Sequence, residues 1–319
     1  MANQKLRLLL AAAGAMIFSS GMLLRGQEPV KVTRSGNQIT VEIGGTPFTT
    51  YYFGPESPKP YLSPLRSAQG TIVTRGWPMV MDMPGEDHDH PHQRAMYFAH
   101  GDINGIDFWA EKNLTRAQQT VNGIYYPSED LPKGRTVIRR VEEMHGGPSS
   151  GVVRASFDLV KPDGEAMGEE IQAYTFSGSK NERIIDCAFT LRANHGPLKL
   201  ADTKEGTFAI RVVHAKGIWG KRANWVDYYG TVDGEEVGIA IFDNPGNLRH
   251  PTTWMARGYG LFAVNPFGLR EFYHNPKLDG SYTIPAGDSL TLRYRVLIHH
   301  GACQQAGVAE AWRRYAEAQ

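Results

Sequence analysis

Cysteine is nearly absent: the 319 residues hold only Cys187 and Cys303. One pair is no disulfide framework, so an apolar core must hold the fold even where oxidation would permit the two to join. Cys187 falls on the apolar side of an alternating run, which equally suits a small buried hydrophobe, and neither thiol is placed like a nucleophile. An excess of one charge is also missing, with 34 basic and 33 acidic side chains giving a formal +1. Without a basic surplus there is little to neutralise phosphates, which argues against a nucleic-acid partner. Beyond residue 25 no apolar run approaches the roughly 20 residues that cross a bilayer, so no membrane span is expected in the mature chain. Helical periodicity is scarce. It is convincing only near the C-terminus, from about Gln305 to about Ala318, where Val308, Ala311, Trp312 and Tyr315 recur at helical spacing.

What is abundant is turn chemistry and alternation. Glycine (35) and proline (19) are frequent, and 41% of the chain is hydrophobic, enough for one large core. Apolar residues alternate with polar ones at Ile39–Val41–Ile43, Val153–Ala155–Phe157–Leu159, Ile185–Cys187–Phe189–Leu191 and Phe208–Ile210–Val212. The longest such run is Leu290–Leu292–Tyr294–Val296–Ile298. Each predicts a strand with one face toward a core. Turns such as Pro162-Asp163-Gly164 and Val232-Asp233-Gly234 separate them. The expectation is an all-β fold: one large antiparallel β-sandwich over residues 27–319, closed by the C-terminal helix. Long loops are expected at Tyr52–Ser67, Pro78–Arg94 and Leu114–Lys133, and loops of that length usually serve function.

Residues 1–26 carry the marks of a secretory signal. Lys5 and Arg7 precede the apolar run Leu8–Ile17, and small residues follow at Ser19, Ser20 and Gly21. The chain is therefore expected to be exported, to the periplasm or beyond. Met22, Leu23 and Leu24 lengthen the apolar stretch and keep an uncleaved anchor open.

The segment Gly85–Arg94 concentrates chemistry, with three of the eleven histidines beside three carboxylates and an arginine. In an extended chain His88, His90 and His92 would share one face, where imidazoles could hold a divalent metal. One of them could instead act as a general acid or base. No known zinc spacing is met, so the cofactor stays open. Downstream, Phe108 and Trp109 look exposed and could form a stacking wall for a sugar ring, or could simply pack in the core. Lys204 and Glu205 precede the strand from Phe208, where Lys204 could keep Glu205 ionised; a solvated hairpin is the plainer reading. Further aromatic–polar stretches contain Tyr228, Arg249, His250, Asn265 and His274. Such compositions suit a cleft for polyhydroxylated ligands, and equally the wet ends of a sandwich.

Seven segments taken together, KPYLSPLRS, TRGWPM, GEDHDHPHQR, AHGDINGIDFW, DTKEGTFAIRV, GIAIFDNPGNLRHPTTW and YGLFAVNPFG, resemble the bacterial family known as PmoA-like, or "methane oxygenase PmoA". The resemblance runs from about residue 35 to about residue 300. It implies a secreted protein of carbohydrate-degrading bacteria. Methane oxidation does not follow, because the namesake subunit is built of membrane-spanning helices. The strand pattern is similar to that of aldose epimerases, which implies a galactose-mutarotase-like supersandwich, with a histidine acid and a carboxylate base at the anomeric centre. On that basis His90, His92 and Glu205 are candidate catalytic groups, with Arg94 positioning an oxyanion or hydroxyl. Trp109, Lys204, Tyr228, Arg249, His250, Asn265 and His274 are candidate ligand contacts. His88, His90 and His92 are the candidate metal set. The expected ligand is a small molecule or oligosaccharide, converted by lyase, hydrolase or epimerase chemistry. Alternatives are a carbohydrate-binding protein without catalysis, or a metal-dependent redox protein.

Overall fold

The computed structural model describes residues 26–111, 131–213 and 216–318, together with the backbone of 120–121 and 124–125. The leader expected over 1–26 lies, save for its last residue, outside the described residues, as does most of the third expected loop. Chain order begins β1 (Val30–Ser35), β2 (Gln38–Ile43), β3 (Thr46–Tyr52), β4 (Tyr61–Ser63) and β5 (Met96–His100). The short hairpin β6 (Thr120–Val121) and β7 (Ile124–Tyr125) follows. Four long strands come next: β8 (Arg135–His145), β9 (Gly151–Val160), β10 (Ala166–Gly178) and β11 (Glu182–Arg192). After them run β12 (Leu198–Leu200), β13 (Gly206–Arg211), β14 (Ile218–Arg222), β15 (Trp225–Val232) and β16 (Glu235–Asp243). The chain closes with β17 (Thr253–Ala256), β18 (Leu261–Val264), α1 (Leu269–Phe272), β19 (Tyr282–Ile284), β20 (Ser289–His300) and α2 (Val308–Glu317).

Nine strands form one sheet in the order β1-β2-β3-β4-β5-β13-β18-β17-β14, and seven form a second in the order β15-β16-β20-β11-β10-β9-β8. The strand pairings within both sheets are antiparallel. The protein is an all-β sandwich with a C-terminal helix. The alternating runs supply its inner faces: Phe157 on β9, Phe189 on β11, Phe208 on β13 and Tyr294 on β20 share one buried cluster with Ile39 and Val41 of β2. The Phe208 and Tyr294 rings stack across the sheets at 5.1 Å. Cys187 belongs to this core, and both cysteines are free.

The helix starts three residues later than the periodicity suggests, because residues 303–307 form turns and Gly307 takes φ 63° before Val308. It lies on the outer face of the seven-stranded sheet, where Val308 and Tyr315 pack with Ala240, Phe242 and Leu297. Val308→Ala removes two carbons from a fully buried site, so it is expected to lower stability by about 1.5–2 kcal/mol in a denaturant melt. No helix among the described residues is long and apolar enough to cross a membrane.

The strands β4, β5, β13, β18 and β17 at the centre of the nine-stranded sheet are buried on both faces. On β13, Phe208 and Ile210 enter the core while Ala209 joins a second cluster with Tyr97 and Ala99 of β5, Ala263 of β18 and Met255 of β17. Cross-strand register sets Tyr97, Ala209, Ala263 and Met255 in one row. Two alanines stand between Tyr97 and Met255 in that row, and the residues packed around it are aromatic: Tyr61, Trp109, Trp219, Tyr259 and Phe272. Apolar and aromatic side chains thus form a second packed layer on the outer side of the sheet.

Candidate functional site

The histidine-rich loop packs against this aromatic layer through Tyr259 and Trp109, and two arginines organise it. Arg75 and Arg211 are essentially fully buried, with side chains 1% and 0% exposed, and both place an Nη nitrogen 2.7 Å from Oδ1 of Asp89. Arg75 also donates to the carbonyls of Asp87, Asp89, His90 and Gln93, which folds the loop around one guanidinium. Arg211 donates its second hydrogen bond to Oε1 of Gln93. Burial alone would raise the Asp89 carboxyl. The His90 hydrogen bond and the Arg211 and Arg75 charges outweigh it and hold Asp89 down at about 2.

Asp89 passes this organisation to His90. Its Oδ2 sits 2.8 Å from His90 Nδ1, which fixes Nδ1 as the proton-bearing nitrogen against a carboxylate and leaves Nε2 for a ligand. The His90 ring stacks on Tyr259 at 4.6 Å and 12° between planes, and Arg211 lies 4.6 Å from the same tyrosine ring. Carboxylate, imidazole and ring together hold the histidine in one orientation.

His92 is buried, edge-on to His90 at 5.7 Å and 6.5 Å from Trp109. Burial, followed by the Lys59, His90, Arg75 and Arg211 charges, pushes its imidazole well below the ordinary value, so it stays neutral. Lys59 lies behind it with a side chain 1% exposed, donating to the Trp109 carbonyl, 3.5 Å from Glu111 and 5.0 Å over the Tyr97 ring. Burial lowers its ammonium to about 8 although the Glu111 charge works against this.

Glu205 comes in from the opposite side. Gly101 donates its N–H to the Glu205 carbonyl at 2.7 Å, and a Cβ at position 101 would lie 2.7 Å from the Glu205 Cβ. Glycine there is what lets the two backbones meet. Lys204 bridges Glu205 (3.3 Å) and Glu271 of α1 (3.5 Å). After burial, the Glu205 charge is the next cause that pushes the Tyr97 phenol upward, and it also raises Tyr259. The Glu205 charge is therefore felt at two tyrosines, one of them the ring on which His90 stacks. The Tyr97 hydroxyl and the Trp109 Nε1 are buried there without a hydrogen-bond partner. Orphaned donors of this kind cost stability unless something else satisfies them.

The structure gathers His90, His92, Trp109, Lys204 and Glu205 around this face, with His274 at its rim, where it stacks on Trp219 at 6.3 Å. It corrects the remaining expectations. His88 does not join the other histidines: it is exposed and stacks on Trp77 at 5.3 Å, because His90 takes φ 45° and the loop is not extended. Among the described residues no three His, Cys, Asp or Glu side chains gather as a metal-ligand set, so His88, His90 and His92 are not one. Arg94 spends Nε and Nη2 on Glu111 at 2.7 and 2.8 Å, so it is a clamp and not an oxyanion donor. Phe108 is a core residue, and Trp109 is 1% exposed and no open stacking wall.

Tyr228 packs edge-on to Phe262 at 4.9 Å and donates to the Lys216 carbonyl, on the core side of the sheet. Arg249 donates to the carbonyls of Pro266, Gly280 and Ser281, which makes it a loop latch. His250 is held by Asp243 at 2.7 Å and stacks on Trp312 of α2, far along the fold from the loop. Asn265 is fully buried and donates to the carbonyls of Thr203 and Lys204, so it shapes the turn that carries Glu205. Sequence reasoning missed Arg75, Tyr259 and Lys59, although Asp89 reads in the sequence as a carboxylate that could orient a histidine. A lysine or an arginine at full burial is the signal, and burial is invisible in the sequence until the packing partners are known. A concavity on the outer face of the seven-stranded sheet is lined by Arg154, Thr175, Asp186, Arg293 and Tyr315, and no imidazole reaches it.

A β-sandwich with a histidine–carboxylate face on its larger sheet is the class these features define. The chain belongs to a family of unknown function, DUF6807, whose model matches residues 38–313. Among curated proteins no match is found. Solved structures with a similar chain path include a galactose mutarotase-like protein from Clostridium acetobutylicum, at 9% identity and TM-score 0.36, covering 84% of this chain and 94% of that one. Galactose 1-epimerase from Lactobacillus acidophilus matches at 8% identity and TM-score 0.33, over 86% of this chain and 99% of its own. A 4-alpha-glucanotransferase from Thermococcus litoralis matches at 12% identity and TM-score 0.32, over 86% of this chain and 40% of its own. No residue role follows from likenesses this distant.

Proposed function

We propose that this protein is an exported carbohydrate-active enzyme that works by acid–base chemistry on the outer face of its nine-stranded sheet. The observation that carries the reading is the Asp89–His90 pair, locked from behind by two buried arginines. An imidazole oriented by a carboxylate presents a fixed Nε2 to a substrate oxygen, and can give or take a proton there. Glu205 supplies the partner carboxylate, which removes a proton on the other side of the reacting carbon. The Tyr97 hydroxyl and Trp109 Nε1, left without partners beneath this face, are the hydrogen-bond donors that a hydroxyl-rich ligand would use. Neutral, buried His92 adds a hydrogen-bonding group without adding charge. The leader read over residues 1–26 supports work outside the cytoplasm.

The test is product formation. The purified chain is incubated with free sugars and with an oligosaccharide panel. Anomer exchange is followed by nuclear magnetic resonance, and bond cleavage by mass spectrometry. Conversion by the native chain, lowered about 10²–10⁴-fold in His90→Ala, is the expected result. Saturable binding with no product would make the protein a carbohydrate binder and remove the catalytic reading. Equal turnover by His90→Ala would remove His90 from it.

A further inference from the structure

Among the described residues, the buried cations around this face are matched by carboxylates. Arg75 and Arg211 share Asp89, Arg94 and Lys59 share Glu111, and Lys204 lies between Glu205 and Glu271. Arg257 has no such partner. It sits in the turn from β17 to β18, pinned by its N–H to the Leu261 carbonyl at 2.8 Å and by its carbonyl to the Gly260 N–H at 2.8 Å. Its guanidinium carbon lies 5.0 Å from the centre of the Trp219 ring and 5.8 Å from that of Tyr259. Among the described residues its side chain has ring contacts but no ion pair and no hydrogen bond. Beside it, the Trp219 Nε1 is buried and has no acceptor. His274 stacks on the same indole at 13° between planes.

A guanidinium laid against two rings is fixed in orientation while its N–H edge stays available, and that fork matches a planar carboxylate with two parallel hydrogen bonds. A neutral ring hydroxyl would use one donor and leave the charge unanswered. Tyr259 joins the two halves of the site, since His90 stacks on its face and Arg257 lies at 5.8 Å from the same ring. A ligand anchored at Arg257 would therefore lie within one residue's width of the acid–base pair.

We infer that this face takes a carboxylated sugar, a uronate, with Arg257 as the anchor for its carboxylate and Trp219 Nε1 as a further donor. This rests on the reading of the same face as a sugar site. The experiment is calorimetric titration of the purified chain with methyl glucuronoside and methyl galacturonoside, their neutral methyl glycosides, and methyl glucoside 6-sulfate. The uronates should bind at least about 10-fold more tightly than the neutral glycosides. Arg257→Gln should collapse that ratio toward one, and Arg257→Lys should keep part of it, with thermal melts confirming that both variants fold. Equal affinity for charged and neutral sugars, or a ratio that survives Arg257→Gln, overturns the inference while leaving the sugar site standing. A sulfate bound as well as the uronates overturns the assignment of a carboxylate. If no sugar of either kind binds, the sugar site itself fails and the inference falls with it.

Discussion

Asp89→Asn is expected to lower turnover by about 10³-fold or more on any sugar the protein converts, and to lower unfolding free energy by roughly 2–3 kcal/mol. The two effects share one cause. Asparagine keeps the shape of the side chain but removes the charge that Arg75 and Arg211 were placed to meet, so two buried guanidiniums lose their common anion. The cost stays below that of a fully buried broken pair for two reasons. Asp89 keeps 31% of its side-chain surface, and Arg75 still donates to four backbone carbonyls. The kinetic loss comes from His90. Without the carboxylate, nothing fixes Nδ1 as the proton-bearing nitrogen, so Nε2 is no longer held in one role. Steady-state kinetics beside a urea melt read both effects. A variant that melts earlier but turns over normally would reduce Asp89 to a structural ion pair.

Glu170→Gln is expected to make the protein more stable than the native chain at pH 8 and nearly equal to it at pH 5. Glu170 is 2% exposed, and its Oε1 accepts a hydrogen bond from Gln172 Nε2 at 2.5 Å. The Tyr51 and Tyr174 hydroxyls occupy Gln172 Oε1, which completes a network inside the core. Burial pushes the Glu170 carboxyl from 4.5 to about 8, although the Gln172 hydrogen bond works the other way. Between those values the folded chain holds a proton that the unfolded chain has released. Stability therefore falls as pH rises from about 4.5 to about 8. The full swing is roughly 5 kcal/mol at 1.36 kcal/mol per unit. Buried, neutral His92 and His100 slope the opposite way below the ordinary imidazole value, so the difference between native and variant profiles isolates Glu170. Parallel profiles for the two proteins would show that Glu170 is charged in the fold.

How much could be read in advance depended on whether a strand has one wet face. The alternations at 185–191 and 290–298 became β11 and β20 because their polar residues face solvent or the edge of the sheet. Strands β5, β17 and β18 escaped notice because both of their faces are buried, which removes the period of two. The histidine-rich segment was correctly singled out, yet its geometry was not legible. An extended chain would align His88, His90 and His92, whereas Trp77 holds His88 while Asp89 and Tyr259 hold His90. Asn265 and Arg249 looked like ligand contacts because polar side chains in a loop read alike, whether they serve a substrate or a carbonyl. Only the partner decides.

The double burial of β13 also limits how this protein can diversify. Phe208 and Ile210 are committed to the core, while Ala209 and Arg211 build the outer face and its anchor for Asp89. A slip of one residue would drive the Arg211 guanidinium into the apolar interior and turn the phenylalanine outward. The strand is thus a poor place for adaptive change. Variation between family members is expected to accumulate instead at exposed loop positions such as Val80, Met81 and Asp82. The strand itself stays nearly invariant, and an alignment of relatives would reveal that contrast directly.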